Sequence, residues 1–216
     1  MNKSLIELLK VNKFYALEKI FVDKNPSWFF RLEKEIERLQ KDFPEIYHLI
    51  GKTQLPAHHP EGDAFEHTMK VLDDVGDRGG NFKTMFCALM HDIGKGETPK
   101  EMLPHHYDHD KKGAEVLDKL MWIPKEYKKA AKFVALNHMK AFEITKSGKI
   151  ITMIQDLHER GLSVRDFIMI LNADQKDKRI PWWLNDETYE KIMMITDDPN
   201  NIKKLNIINI DKKKYY

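Results

Sequence analysis

Two adjacent residues carry the strongest chemical signal in the chain. In ALMHDIGKG, residues 88–96, His91 and Asp92 close an apolar run. Ala88, Leu89, Met90 and Ile93 would bury that helix end, where a carboxylate is costly unless it is paired or bound to a cation. Metal ligation by His91 and Asp92 removes the cost. An ordinary helix terminus accounts for Gly94, Lys95 and His91, but Asp92 has the wrong charge for a helix carboxyl end. Lys95, an ammonium beside the same spot, suits an oxyanion such as phosphate. Two ligands do not complete a transition-metal site, so others must arrive from elsewhere. Four polar residues stand on predicted helices beside apolar runs: His67 in FEHTMKVL, His109 in HYDHDKKGAEVL, His138 ending AAKFVALNHM, and Asp174 in FIMILNADQKD. One such histidine reads first as a satisfied core residue. Four such residues, together with His91 and Asp92, read as a ligand set.

The other polar and aromatic candidates are weaker. His58, His59, His105 and His106 lie in proline-flanked loops beside these motifs, where they would line a pocket mouth, with His59 a candidate substrate contact. Arg179, shortly after Asp174, reads either as a phosphate contact or as an exposed helix-end cation. Cys87 has no base beside it and reads as a core thiol. His48 and His158 read as surface residues. Trp28, Phe29 and Phe30 suit an interhelix seam better than base stacking, and Trp182 and Trp183 suit packing.

The elements that must position these side chains are helical. Leu5, Leu8 and Leu9 open an amphipathic stretch that continues through Leu17 and Ile20. Pro26 and Ser27 introduce a second helix with Trp28, Leu32, Ile36 and Leu39 on one face, and Pro44 a short third segment closed by Gly51. Residues 53–63 form a loop. Helices then read at about 64–75 and 82–93, and after the loop at 94–106 at about 107–121, 125–138, 149–160, 163–176 and 184–196. The expected fold is all-α, a helical bundle with short helical extensions at both ends: 1–53, a central unit at 54–179, and 180–216.

Composition bounds the function. The chain has 216 residues, 42% hydrophobic and 32% charged, with a net charge of +2. That excludes wholesale disorder and makes a general nucleic-acid coat protein a poor fit. No apolar run approaches the roughly 20 residues that span a bilayer, and Glu7 and Lys10 interrupt the first apolar stretch, so no membrane span or signal peptide is expected. A single cysteine allows no internal disulfide, which fits a cytoplasmic protein. The last fourteen residues hold five lysines against one aspartate, either a solvated end or a phosphate contact.

The order His67, His91–Asp92, Asp174 resembles the HD superfamily of metal-dependent phosphohydrolases. The strings LPAHHPEGDAFEHTMKVL, CALMHDIGKGETP and PHHYDHDKKGAEVL, within residues 54–179, resemble the HD domain appended to bacterial tRNA nucleotidyltransferases, the CCA-adding enzymes. The resemblance implies a helical phosphohydrolase in which His67, His91, Asp92 and Asp174 hold one divalent transition ion (Mn, Fe, Co, Ni or Zn), with His109 and His138 available to a second. It implies catalytic roles for Asp92, Lys95 and His109, and substrate contacts from Lys95, Arg179 and His59. The implied substrate is a small nucleotide or an RNA 3′ end, with 2′,3′-cyclic phosphodiesterase and phosphatase activity the most specific expectation. The alternatives are a 5′-nucleotidase, a dNTP triphosphohydrolase, or a non-catalytic HD-fold module that binds nucleotide or RNA. The glycine-serine turn and paired aspartates of the nucleotidyltransferase head are absent from residues 1–53, so nucleotide addition to tRNA is not expected. The GYP motif of the branch that cleaves cyclic di-GMP is absent as well. A homodimer is compatible with the family, although no heptad seam predicts one.

Overall fold

The computed structural model describes residues 3–144, 147–175 and Pro181, and most of these are helical. The elements are α1 (Lys3–Val11), α2 (Lys13–Ile20), α3 (Ser27–Glu35), α4 (Leu39–Asp42), α5 (Pro44–Tyr47), α6 (Ala64–Asp77), α7 (Phe82–Met90), α8 (His109–Lys119), α9 (Lys125–Asn137), α10 (Lys140–Glu143), α11 (Ser147–Glu159) and α12 (Val164–Asp174). Two 3-10 turns, Ile93–Glu97 and Lys100–Met102, connect α7 to α8. Among the described residues there is no strand. A single antiparallel bridge, Thr53 to Asp63, closes the loop between α5 and α6. The expected all-α architecture holds. No helix of the described residues is long and apolar enough to cross a membrane.

Local sequence explains where the site-bearing helices begin. Asp63 caps α6, its Oδ1 accepting from the backbone N–H groups of Phe65 and Glu66, while its Oδ2 accepts from the N–H of Gly51. Asn81 caps α7 by accepting from the N–H of Thr84. Ser163 and Asp166 form a reciprocal capping box on α12. Caps of this kind stabilise a helix by about 1 kcal/mol each and fix its starting residue.

α7 lies at the centre. Thr84 through Met90 are all buried, as expected for a helix apolar on every side. It packs against α6 and α9; α12 packs on α6 and α8 on α9. One hydrophobic core runs from Leu9 to Leu171, so the amino-terminal helices share it with the rest. Phe14 of α2 meets Phe82 and Phe86 of α7 and Tyr127 of α9 edge-on, with ring centroids 5.3, 5.5 and 4.7 Å away.

Two expectations are corrected. The first amphipathic stretch is not one helix: Asn12 ends α1 and caps α2, its side chain accepting from the N–H of Tyr15, which outweighs the continuing apolar period. The second helix does not bury Trp28 and Ile36, which are exposed, but Phe29 and Phe30, whose rings meet Phe43. It stops at Glu35, and Glu37 takes a left-handed conformation that turns the chain into α4. Arg179, Trp182, Trp183, the 184–196 helix and the basic tail lie outside the described residues.

Candidate metal centre

Three helices point their carboxyl ends at one place. α7 delivers His91 and Asp92, α9 delivers His138, and α12 ends on Asp174. Helix carboxyl ends carry partial negative charge, so their convergence favours a cation. His67 joins from the first turn of α6 and His109 from the first residue of α8.

The side chains form two groups that share one carboxylate. In the first, His67 Nε2 lies 3.0 Å from Asp174 Oδ1 and 3.7 Å from Asp92 Oδ2. His91 Nε2 lies 3.2 Å from Asp92 Oδ2 and 3.5 Å from Asp174 Oδ1. In the second, Asp92 Oδ1 lies 3.4 Å from His109 Nε2 and 3.5 Å from His138 Nε2. Ligands bonded at about 2.0–2.2 Å to one ion stand about 3.0–3.6 Å from each other, so both spacings suit a transition metal. Asp92 thus turns one oxygen to each group.

Burial and unmet polarity support the fit. His67, His91, Asp92, His138 and Asp174 are all buried. Neither oxygen of Asp92, nor His91 Nε2, takes part in a well-formed hydrogen bond. Lys95 gives Oδ2 an ion pair, but the remaining buried acceptors, Oδ1 foremost, are costly to leave unmet, and a metal cation satisfies them. The imidazole and carboxylate donors suit Mn, Fe, Co, Ni or Zn alike. His91, His109 and His138 each donate Nδ1–H to a backbone carbonyl, that of Ala88 at 2.7 Å, His106 at 2.8 Å and Ala135 at 2.9 Å, which turns Nε2 toward the centre.

The charges are strongly coupled. Burial opposes ionisation of Asp92, but Lys95 and His91 hold its carboxyl well below the usual range. Asp174 is held low in the same way by His67 and His91. Burial likewise opposes a proton on His91, yet Asp92 and Asp174 push it up to about 10. Burial lowers His138 to about 4, and burial followed by the charges of Lys95 and His67 lowers His59 to about 4.

Gly94 makes this geometry possible. A side-chain carbon there would lie 2.0 Å from the His109 carbonyl oxygen and 2.3 Å from the Gly113 nitrogen. The first 3-10 turn and α8 therefore cross backbone to backbone, which brings His109 to Asp92.

A cavity of about 370 Å³ opens beside the centre. Lys95, His109, His138 and Asp174 lie on its walls, and Leu55, His58, His59, His105, His106, Tyr107 and Met139 also line it. All four loop histidines therefore line this pocket. His106 also ties loops together, through Thr98 Oγ1 and the Thr53 carbonyl, both at 2.9 Å. Lys95 is buried rather than free, with Nζ 2.5 Å from Asp92 Oδ2 and donating at 2.5 Å to Gln54 Oε1. His59, lowered to about 4, carries no charge at pH 7. Cys87 is fully buried among apolar residues and its thiol is pushed up.

Sequence reasoning missed two residues here, Gln54 under Lys95 and Glu61 behind His67. Both sit in the irregular 53–63 loop, where no period signals burial. The only hint for Glu61 was its place in HPEGD.

A family model described as "HD domain" matches residues 64–171, half the chain. The chain is similar to a multifunctional CCA protein of Mannheimia succiniciproducens, 33% identical over 174 residues, 74% of this chain and 41% of that protein. A multifunctional CCA protein of Thioalkalivibrio sulfidiphilus is 34% identical over 170 residues, 75% of this chain and 41% of the relative. One from Shewanella frigidimarina is 37% identical over 133 residues, 59% and 32% respectively. The chain spans about two fifths of the length of the first two.

Proposed function

The chain belongs to the HD domain family, and from that premise we propose that it is a metal-dependent phosphohydrolase acting on nucleotides or RNA 3′ ends. The observation that carries the reading is Asp92: a buried carboxylate with each oxygen turned to a separate group of His and Asp donors, behind His109, His138 and Asp174, which line an open cavity. We assign His67, His91, Asp92 and Asp174 to one divalent transition ion, and Asp92, His109 and His138 to a second. When bound, such an ion supplies Lewis acidity and a water that ionises near neutral pH.

The chain's own groups account for the rest. Asp92 and the imidazoles hold the reacting centre at the cavity wall. Gln54 holds the Lys95 ammonium there, where it neutralises phosphoryl oxygens as charge develops on them. His109, partly exposed and tied at Nδ1 to the His106 carbonyl, faces the cavity; with only the first subsite filled, its Nε2, 3.3 Å from His138 Nε2, delivers a proton to the leaving oxygen when the ring is doubly protonated. The cavity mouth supports a nucleotide. Leu55, Tyr107 and Met139 are large apolar side chains exposed there, and His105 stacks on Tyr107 with centroids 5.8 Å apart and planes 19° from parallel. A polar floor with an aromatic rim matches a phosphate joined to a base. The similarity to multifunctional CCA proteins, together with the motif resemblance to the HD domain of CCA-adding enzymes, favours an RNA 3′ end or its 2′,3′-cyclic phosphate.

The test is a substrate panel with manganese, cobalt, nickel or zinc, comparing the parent protein with Asp92→Ala. Turnover of 2′,3′-cyclic AMP that disappears in the variant supports the reading. Preference for nucleoside monophosphates or deoxynucleoside triphosphates would support a nucleotidase instead. No turnover by folded, metal-loaded protein would favour a binding module.

A further inference from the structure

His67 is held differently from the other three imidazoles. Among the described residues, no backbone carbonyl accepts from its Nδ1. That atom is buried, takes part in no hydrogen bond with the described residues, and lies 3.8 Å from Glu61 Oε2, which is buried and without a hydrogen-bond partner among them too. The other carboxylate oxygen, Oε1, is held by the Lys70 ammonium from α6. The His59 ring packs edge-on against His67 with centroids 4.4 Å apart, and His59 Nδ1 is a third buried, unpartnered atom. One donor atom from each of His59, Glu61 and His67 lies within 4.8 Å of the other two.

We propose that Glu61 is the positioning residue for His67, its carboxylate accepting Nδ1–H so that Nε2 presents a lone pair to the metal centre. The proposal rests on the reading of His67 as a ligand. A neutral imidazole carries one N–H, and whichever nitrogen donates leaves the other as acceptor. Asp174 Oδ1, 3.0 Å from His67 Nε2, would otherwise draw the proton to that nitrogen, which is the wrong tautomer for ligation. Glu61 supplies the opposing acceptor. The 3.8 Å gap exceeds a hydrogen bond and closes by a small rotation of Glu61 or through one water, which would find its partners in these same three atoms. Either route keeps the proton on Nδ1. Lys70 steadies the carboxylate from outside, giving the ordered row Lys70, Glu61, His67, Asp174.

The experiment uses metal-stripped protein titrated with Mn(II) by calorimetry and with Co(II) by visible absorption, comparing the parent chain with Glu61→Ala, Glu61→Asp and Lys70→Ala. Glu61→Ala is expected to bind the same number of ions, about 10–100-fold more weakly at the His67 subsite, with an altered Co(II) spectrum. Glu61→Asp should recover part of the affinity and Lys70→Ala should lose less, while unfolding of the metal-free variants stays near the parent's. Parental affinity and spectrum in Glu61→Ala would overturn the proposal. So would loss of one whole ion equivalent, which would make Glu61 a ligand of a separate cation with His59. A parent chain that binds no ion at these residues would instead refute the ligand reading underneath.

Discussion

At the scale of single residues, the account turns on one carboxylate with two tasks. Because Asp92 belongs to both donor groups, Asp92→Ala should abolish binding of both ions, whereas His138→Ala should remove only the one that His109 shares. Metal analysis of the purified variants checks this, and equal loss in both would contradict it. Protons should follow the metal. In the metal-free chain His91 is pushed up to about 10, so it holds a proton on Nε2 at pH 7 that ligation must remove. Binding should therefore tighten about tenfold per pH unit between pH 7 and 9, with about one proton released per ion at the first subsite. His138, lowered to about 4, has already lost its proton in that range. Calorimetry in buffers of different ionisation enthalpy measures the release, and an affinity flat with pH would contradict it. His67, His91, Asp92, His109, His138 and Asp174 were legible as candidates because each is a polar residue beside an apolar run, and the grouping of His67, His91, Asp92 and Asp174 came from the resemblance to the HD superfamily. Gln54 and Glu61 were not legible, since one is buried and the other half-buried by long-range closure of the 53–63 loop and not by any local pattern.

At the scale of elements, the centre is an arrangement of helix ends, and the turns between helices set its precision. Gly94 is the tightest point. Gly94→Ala forces a carbon against the backbone of His109 and Gly113 and should separate the first 3-10 turn from α8. The expected result is a loss of about 1–3 kcal/mol of stability, typical of overpacking, together with the second metal equivalent. Denaturant unfolding and metal analysis read the two effects separately; an unchanged metal count would show that His109 does not depend on this crossing. The starts of α6, α7 and α12 were readable to within a residue, and Asp63, Asn81 and Ser163 cap them, but the ends were not: α6 runs two residues past Val75 to Asp77, and α7 stops at Met90 instead of Ile93, where a 3-10 turn takes over. The break at Asn12 was hidden, because the apolar period runs through it from Leu9 to Leu17 and only the side-chain cap on Tyr15 interrupts the helix. The misread face of α3 has a tertiary cause. Trp28 and Ile36 follow the helical period, but the rings of Phe29, Phe30 and Phe43 pack together and take the inner side instead.

At the scale of the whole molecule, one core carries every ligand-bearing helix, so metal binding and folding should be linked. An ion that binds only the folded chain raises its stability by about 2.7 kcal/mol at a hundredfold excess over the dissociation constant. Thermal unfolding should therefore shift upward with added manganese in the parent protein and not in Asp92→Ala; the same shift in both would place the binding elsewhere. The expectation that the central helices form one all-α bundle around the metal motif was legible from the 3.6-residue period and the three matching strings. Incorporation of the amino-terminal helices into the same core was not, since nothing local to residues 3–53 announces that Phe14 will seat among Phe82, Phe86 and Tyr127. The most direct measurement is the conversion of 2′,3′-cyclic AMP to adenosine monophosphate by protein stripped with a chelator and then titrated with manganese. The account predicts that stripping ends turnover, that turnover returns in proportion to bound metal, and that Asp92→Ala never recovers. Turnover that survives stripping, or that Asp92→Ala retains, would contradict it.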